Sequence, residues 1–130
     1  MVSRFDGHSL DPHYLAYFDC FNRQQFYEAH EVLEQIWLPQ RDGPEGPFFK
    51  GLIQLAGAFV HLQKGRNQPA AALFRLAENN FHNYPVLHHR LELSAVFELI
   101  RQWREQIESG HFGRQPFSEC PAPKLQLLQT

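Results

Sequence analysis

Apolar side chains recur every three or four residues along most of this chain, which is the spacing expected of amphipathic helices. The segment 48–64 is apolar around most of its circumference, so we expect it to form a central helix that neighbours cover on several sides. The pattern predicts five helices in all, at about residues 11–23, 25–38, 48–64, from Pro69 until Tyr84-Pro85, and 87–109.

Prolines and glycines mark where these helices begin and end. Asp11 followed by Pro12 is typical of a helix N-cap and first helical residue. Pro39 is expected to end the second helix, and residues 39–47, with three prolines and two glycines, to form a loop. Gly65 suits the position just after a helix C-terminus.

A chain of 130 residues can bury one ordinary hydrophobic core and no second one. We therefore predict a single helical domain over residues 1–110, followed by an irregular, proline-containing tail over residues 111–130 that packs on it. The apolar residues available for that packing are Phe112, Phe117, Leu125, Leu127 and Leu128.

A weak internal repeat relates the first two helix pairs. The segments YFDCFNRQQFYEAHEVL and FVHLQKGRNQPAAALFRL align with Tyr17 on Phe59 and Ala29 on Ala71. Antiparallel pairs of this kind resemble tetratricopeptide units, but two pairs are fewer than a solenoid usually requires. The predicted fold class is therefore all-α, a compact bundle of about five helices built on two such pairs.

Composition and charge exclude several classes of function. The net charge is −2 and the basic residues are scattered, whereas nucleic-acid partners select a basic surface, so we expect no nucleic-acid partner. The most apolar stretch contains Lys50, Gln54 and His61, and the first residues contain no apolar run typical of a secretion signal. We expect no membrane association and a cytoplasmic location, with Cys20 and Cys120 as free thiols.

The chemically suggestive residues lie in the second predicted helix, within FYEAHEVLEQIW. His30 and Glu34 are four residues apart, so an imidazole and a carboxylate share one face of the helix. Such a pair can ligate a metal ion, act as an oriented general base, or simply form a hydrogen bond. A divalent metal would need a further ligand from another helix, for which His61 is the candidate.

The third predicted helix presents a matching polar stripe of Lys50, Gln54 and His61 on an otherwise apolar cylinder. If this stripe faces His30 and Glu34, a polar pocket results, and Glu31 and Lys50 become candidates for an acid or base and an electrostatic clamp. Aromatic residues of the second helix would form the walls of the pocket: Phe26, Tyr27 and Trp37.

Structural roles are the alternative for each of these residues. His30 and His61 can be ordinary hydrogen-bonded histidines at the edge of an apolar face. Glu31 and Glu34 can be solvated or paired with a basic side chain, and Lys50 can extend to solvent or pair with a buried glutamate. The adjacent His88 and His89 suggest a solvated pair more strongly than a metal site.

The blocks FYEAHEVLEQIW and GLIQLAGAFVHLQKG, in this order and spacing, resemble a bacterial and archaeal family catalogued as domain of unknown function 309. The resemblance spans about residues 18–85 and implies a short all-helical protein. The family's usual Gly-Glu turn is replaced here by Gln24-Gln25, and its Gly-Leu-Asp after Tyr-Pro is replaced by residues 90–92. The resemblance implies no reaction, cofactor or partner.

Two functions are compatible with these observations. The first is a non-enzymatic module that binds a protein partner or a second copy of itself, as the tetratricopeptide-like pairing and the absence of strong catalytic motifs suggest. The second is an enzyme that acts on a small molecule or depends on a divalent metal, with the His/Glu cluster between the second and third helices as its site.

Overall fold

The computed structural model describes residues 11–109 and 123–128, and within them the chain is almost entirely helical. The five helices are α1 (Pro12–Asn22), α2 (Phe26–Gln40), α3 (Gly46–Gln63), α4 (Asn67–Phe81) and α5 (Leu93–Glu108). A two-stranded antiparallel hairpin, β1 (Leu87–His88) and β2 (Leu91–Glu92), precedes α5. The all-α prediction is confirmed. Within these residues, none of the helices combines the length and apolar character needed to span a bilayer.

The helix ends follow local chemistry, although not all of them lie where the sequence predicts. Asp11 caps α1, because its Oδ1 accepts the His13 N–H at 2.7 Å. The prediction that Pro39 ends α2 is wrong, since the helix continues to Gln40 with the proline in its last turn. A proline so close to the C-terminus of a helix removes a single intrahelical donor. The side-chain amide nitrogen of Gln40 donates to the Ile36 carbonyl at 3.1 Å.

The predicted start of the last helix near residue 87 is also wrong, because residues 87–92 form the hairpin. His89 and Arg90 occupy its turn with φ values of 48° and 66°, and left-handed residues cannot continue an α-helix. The hairpin buries Leu91, and α5 begins only after it. Apolar spacing over this stretch resembles a helix because two two-residue strands are too short to show alternation.

The central position predicted for the third helix is confirmed, because α3 packs against both α2 and α4 and most of its residues are buried. Phe59 on α3 lies at the centre of an aromatic cluster. Its ring stacks on that of Phe26 with centroids 5.1 Å apart, and it makes edge contacts with three further rings, those of Phe21, Phe74 and Trp103. This packing fixes the rotation of α3 about its axis and hence the direction of its polar stripe.

The turns of the two helix pairs share one geometry. Gln24 after α1 and Gly65 after α3 are both left-handed, with φ values of 64° and 72°. In each turn, the backbone N–H of the residue after the left-handed one donates to a carbonyl in the last turn of the preceding helix. Gln25 donates to the Cys20 carbonyl and Arg66 to the His61 carbonyl, both at 2.9 Å. The internal repeat is therefore real at the level of the backbone.

This correspondence corrects the predicted alignment by one residue. Because Gln24 matches Gly65, the residue equivalent to Phe59 is Phe18, and the predicted partner, Tyr17, lies one position earlier. An alignment of side-chain types cannot resolve so small an offset, whereas the left-handed residue marks it directly.

We predict that Gln24→Gly stabilises the protein by about 0.5–1 kcal/mol. A left-handed backbone conformation costs a residue with a Cβ about 1–2 kcal/mol, and glycine avoids this cost. The greater conformational freedom of glycine in the unfolded chain offsets part of that stabilisation. Urea unfolding measures the change. The matched variant Gly65→Ala should lose about 1 kcal/mol for the same reason, and a decrease in stability for Gln24→Gly would contradict the argument.

The described part of the tail lies against α1. The Asn22 side chain donates to the Leu125 carbonyl and accepts its N–H, both at 2.7 Å, and the Leu125 side chain is buried. Leu127 is half-buried and Leu128 is exposed. Phe112 and Phe117 lie outside the described residues, so the domain boundary at residue 110 stays a prediction.

Candidate functional site

A pocket of about 310 Å³ opens where α2, α3 and α4 meet. Its walls combine a polar stripe with aliphatic side chains. The lining residues are Tyr27, His30, Lys50, Ile53, Gln54, Gly57, Val60, His61 and Leu73. The structure thus places the polar stripe of α3 opposite His30 of α2, in one concave surface.

Other residues of the predicted site lie outside the pocket lining. Phe26 is fully buried in the core, because it occupies the α2 face that packs on Phe59, so its assignment to the pocket wall is corrected. Glu31 is exposed. Glu34 lies beside His30, with its Oε2 3.6 Å from the imidazole Nε2, and does not line the pocket.

Lys50 extends over the Trp37 ring, with Nζ 4.4 Å from the ring centroid. This cation–π contact holds the ammonium group at the pocket without neutralising its charge. Within residues 11–109 and 123–128, no carboxylate lies within ion-pair distance of Lys50. Of the two structural alternatives for this lysine, pairing with a buried glutamate is therefore not observed in that part of the chain.

Gln54 presents a donor to the pocket. Its Oε1 accepts a hydrogen bond from Asn80 Nδ2 at 2.7 Å. Since the amide oxygen is occupied in this way, the amide nitrogen of Gln54, with its two N–H groups, is the part left for a ligand. Asn80 on α4 thus fixes the orientation of a side chain that belongs to α3.

The two pocket histidines share an unusual feature. Nδ1 of His30 and Nδ1 of His61 are both buried with no hydrogen-bond partner. A buried N–H donor without a partner is less tolerable than a bare acceptor, so in the neutral tautomer of either ring the proton belongs on Nε2. Each imidazole then offers an Nε2–H donor.

His61 is a neutral donor at neutral pH. Burial lowers the pKa of its imidazole, and the positive charges of Arg66 and Lys64 lower it further. Within the part of the chain that the structure describes, the pocket lining therefore combines one cation, Lys50, with neutral donors from Gln54 and His61, and it contains no carboxylate. Its polar side is complementary to a group that accepts hydrogen bonds and carries negative charge.

The predicted metal ligands His30, Glu34 and His61 are not gathered within ligand distance of one point. Among the described residues, three potential ligand atoms lie within 4.8 Å of one another only in a different group, Glu45 with His88 and His89. We call these three residues the hairpin cluster. Its carboxylate comes from the loop before α3 and its imidazoles from the hairpin before α5.

The sequence pattern does not predict this cluster. His88 and His89 were expected to form a solvated pair, which is wrong, because both Nε2 atoms lie 2.8 Å from Glu45 Oε1 and the side chains are 19% and 14% exposed. The adjacent histidines were a visible signal. Their partner was not, because Glu45 is more than forty residues away and is joined to them only by tertiary packing.

Comparison with known proteins confirms the family resemblance. Residues 14–73 match the family described as Domain of unknown function (DUF309). The match includes most of α1, all of α2 and α3, and every residue that lines the pocket, and it ends before His88 and His89.

A relative from Bacillus subtilis (strain 168), the uncharacterized protein YpuF, is similar to this chain at 30% identity over 91 residues. The aligned region covers 66% of this chain and 51% of YpuF, so the chain spans about half the length of that relative. This similarity carries no activity to the chain.

Proposed function

We propose that this chain, whose residues 14–73 match the DUF309 family, binds a small organic anion in the pocket between α2 and α3. The observation that carries the proposal is the chemistry of the polar lining. It presents the ammonium group of Lys50 and the neutral donors of Gln54 and His61, with no carboxylate among the lining residues.

The dimensions of the pocket define the class of ligand. Its volume of about 310 Å³ is at the lower end of the range for small-molecule sites, so a compact molecule fits best. A single lysine favours a monoanion, and we take a carboxylate as the head group. Ile53, Val60 and Leu73 line the remaining surface and favour an apolar body on the ligand.

Binding is better supported than catalysis or docking. Glu31, the predicted acid or base, is exposed and does not line the pocket. Large exposed apolar side chains are spread over α1, α2, α4 and the hairpin, as in Leu15, Leu38, Leu76 and Leu87. The interaction module, homo-oligomer formation and cytoplasmic location stay predictions.

Titration with benzoate tests the proposal, with benzamide as the neutral molecule of the same shape. We expect benzoate to bind at least about tenfold more tightly, because a charge-assisted hydrogen bond to Lys50 contributes roughly 1.5–3 kcal/mol. Lys50→Met keeps a long unbranched side chain but removes its charge, so this variant should bind benzoate and benzamide with equal affinity. Amide chemical shifts in NMR measure both affinities and locate the bound molecule.

Lys124→Met is the matched control, since this exposed lysine lies in the described part of the tail and does not line the pocket. It should bind benzoate like the original protein. Equal binding of benzoate and benzamide, or shift changes confined to residues outside the pocket, would refute the proposed function.

A further inference from the structure

We propose a second site: the hairpin cluster, Glu45 with His88 and His89, binds a divalent transition-metal ion. The proposal is independent of the α2–α3 pocket and uses none of its residues. It also differs from the ligand set predicted from the sequence, which consists of His30, Glu34 and His61.

The donor atoms of the cluster converge. Nε2 of His88 and Nε2 of His89 each lie 2.8 Å from the same oxygen, Oε1 of Glu45, and the centroids of the two rings are 4.2 Å apart. Two histidines that share one carboxylate oxygen bring three potential ligand atoms within 4.8 Å of one another. A purely structural contact needs only one imidazole and one oxygen.

The position of Glu45 is fixed by Tyr84. The tyrosine hydroxyl donates to the Pro44 carbonyl at 2.8 Å and accepts the Phe48 N–H at 3.0 Å. These bonds lie on either side of Glu45 in the sequence and hold the start of α3 in place. The carboxylate is therefore presented from a backbone that is anchored on both sides.

The imidazoles are also held in place. The Tyr14 hydroxyl donates to the His89 carbonyl at 2.8 Å, within the turn of the hairpin. The Phe48 ring packs edge-on against both histidines, with centroid distances of 4.8 and 5.3 Å, and the Phe49 ring is nearly parallel to that of His89 at 6.0 Å. Aromatic contacts thus limit the orientations of both rings, whose side chains are 19% and 14% exposed.

A metal ion fits this arrangement with a small adjustment. In a tetrahedral site with ligand bonds near 2.1 Å, ligand atoms lie roughly 3.4 Å apart, so each Nε2 must move about 0.6 Å from Oε1. Rotation of the side chains provides such a shift. Each ring would then bind through Nε2, with its own proton on Nδ1.

The donor set selects the class of ion. Two imidazoles and a carboxylate suit Zn²⁺ and its neighbours, whereas Mg²⁺ and Ca²⁺ prefer oxygen ligands alone. Three protein ligands leave a coordination position for water.

The experiment is a zinc titration of the full chain after chelator treatment, read against a chromophoric chelator of known affinity. We expect one Zn²⁺ per chain and a rise in melting temperature with added zinc. Glu45→Gln and His88→Gln should each weaken binding by at least about 10–100-fold, since the loss of even an outer hydrogen-bond partner costs a metal site that much. When Co²⁺ replaces Zn²⁺, the protein should show visible absorption bands typical of a cobalt ion with a low coordination number.

His30→Gln is the matched control, because it removes a histidine beside a carboxylate on α2 and leaves the hairpin cluster intact. It should bind zinc like the original protein. An unfolding transition, measured in the presence of a chelator, verifies that Glu45→Gln and His88→Gln are folded before their zinc affinities are compared. Absence of zinc binding, or zinc binding that Glu45→Gln and His88→Gln leave unchanged, would overturn the proposal and leave the cluster as a hydrogen-bonded brace between loop and hairpin.

Discussion

Replacing Phe59 with alanine is expected to lower the free energy of unfolding by about 3–5 kcal/mol, the range for truncating a fully buried phenylalanine. Phe59 is 0% exposed, and its ring contacts residues of α1, α2, α4 and α5. Removing it opens a cavity where four helices meet around α3. Because those neighbours are themselves large rings held by further contacts, the site can collapse only in part.

Urea denaturation followed by circular dichroism measures the effect. Leu38→Ala is the control, since this leucine is 51% exposed near the end of α2 and its loss should change stability by less than about 0.5 kcal/mol. A cost below about 2 kcal/mol for Phe59→Ala would show that the aromatic cluster repacks. In that case α3 would not be as firmly oriented as the pocket requires.

The pocket was predictable because the helical period relates each residue to a face. Stepping along α2 and α3 at 100° per residue is enough to place His30 on one helix edge and Lys50, Gln54 and His61 on one stripe. Helix ends were predictable to within a few residues from Asp11, Pro12 and Gly65. Phe26 was misplaced because the same calculation does not determine which side of an apolar stripe faces the core.

The hairpin cluster could not be predicted from the sequence, for a different reason. Its members lie on a loop, a two-residue strand and the turn after that strand, where no periodic pattern relates sequence to direction. The left-handed conformation of His89 and Arg90 is also invisible in the sequence, since turns of this type usually contain Asn or Gly. Tertiary contacts, among them those of Phe48 and Tyr84 with the hairpin, bring Glu45 to the imidazoles.

Both proposed sites depend on α3, but at different places. Lys50, Gln54 and His61 follow one stripe of the helix, whereas Glu45 precedes its first residue. The zinc and benzoate experiments can therefore succeed or fail separately. A change at the start of α3 should affect the hairpin cluster first, because the loop rather than the helix body positions Glu45.

Gly46→Ala is the sharpest test of that loop, and we expect it to destabilise the protein by roughly 3 kcal/mol, at the upper end of overpacking costs. A Cβ on Gly46 would lie 2.2 Å from the Arg41 carbonyl oxygen, a backbone atom that cannot rotate away, so the loop of residues 41–45 must shift. Gly43→Ala is the matched control in the same loop, because its Cβ would meet nothing closer than the Gln40 carbonyl oxygen at 3.4 Å, an ordinary contact. Urea unfolding compares the two variants with the original protein, and Gly43→Ala should remain within about 0.5 kcal/mol of it. Equal stabilities for the two variants would mean that the loop adapts freely, which would contradict the fixed position of Glu45 on which the metal site depends.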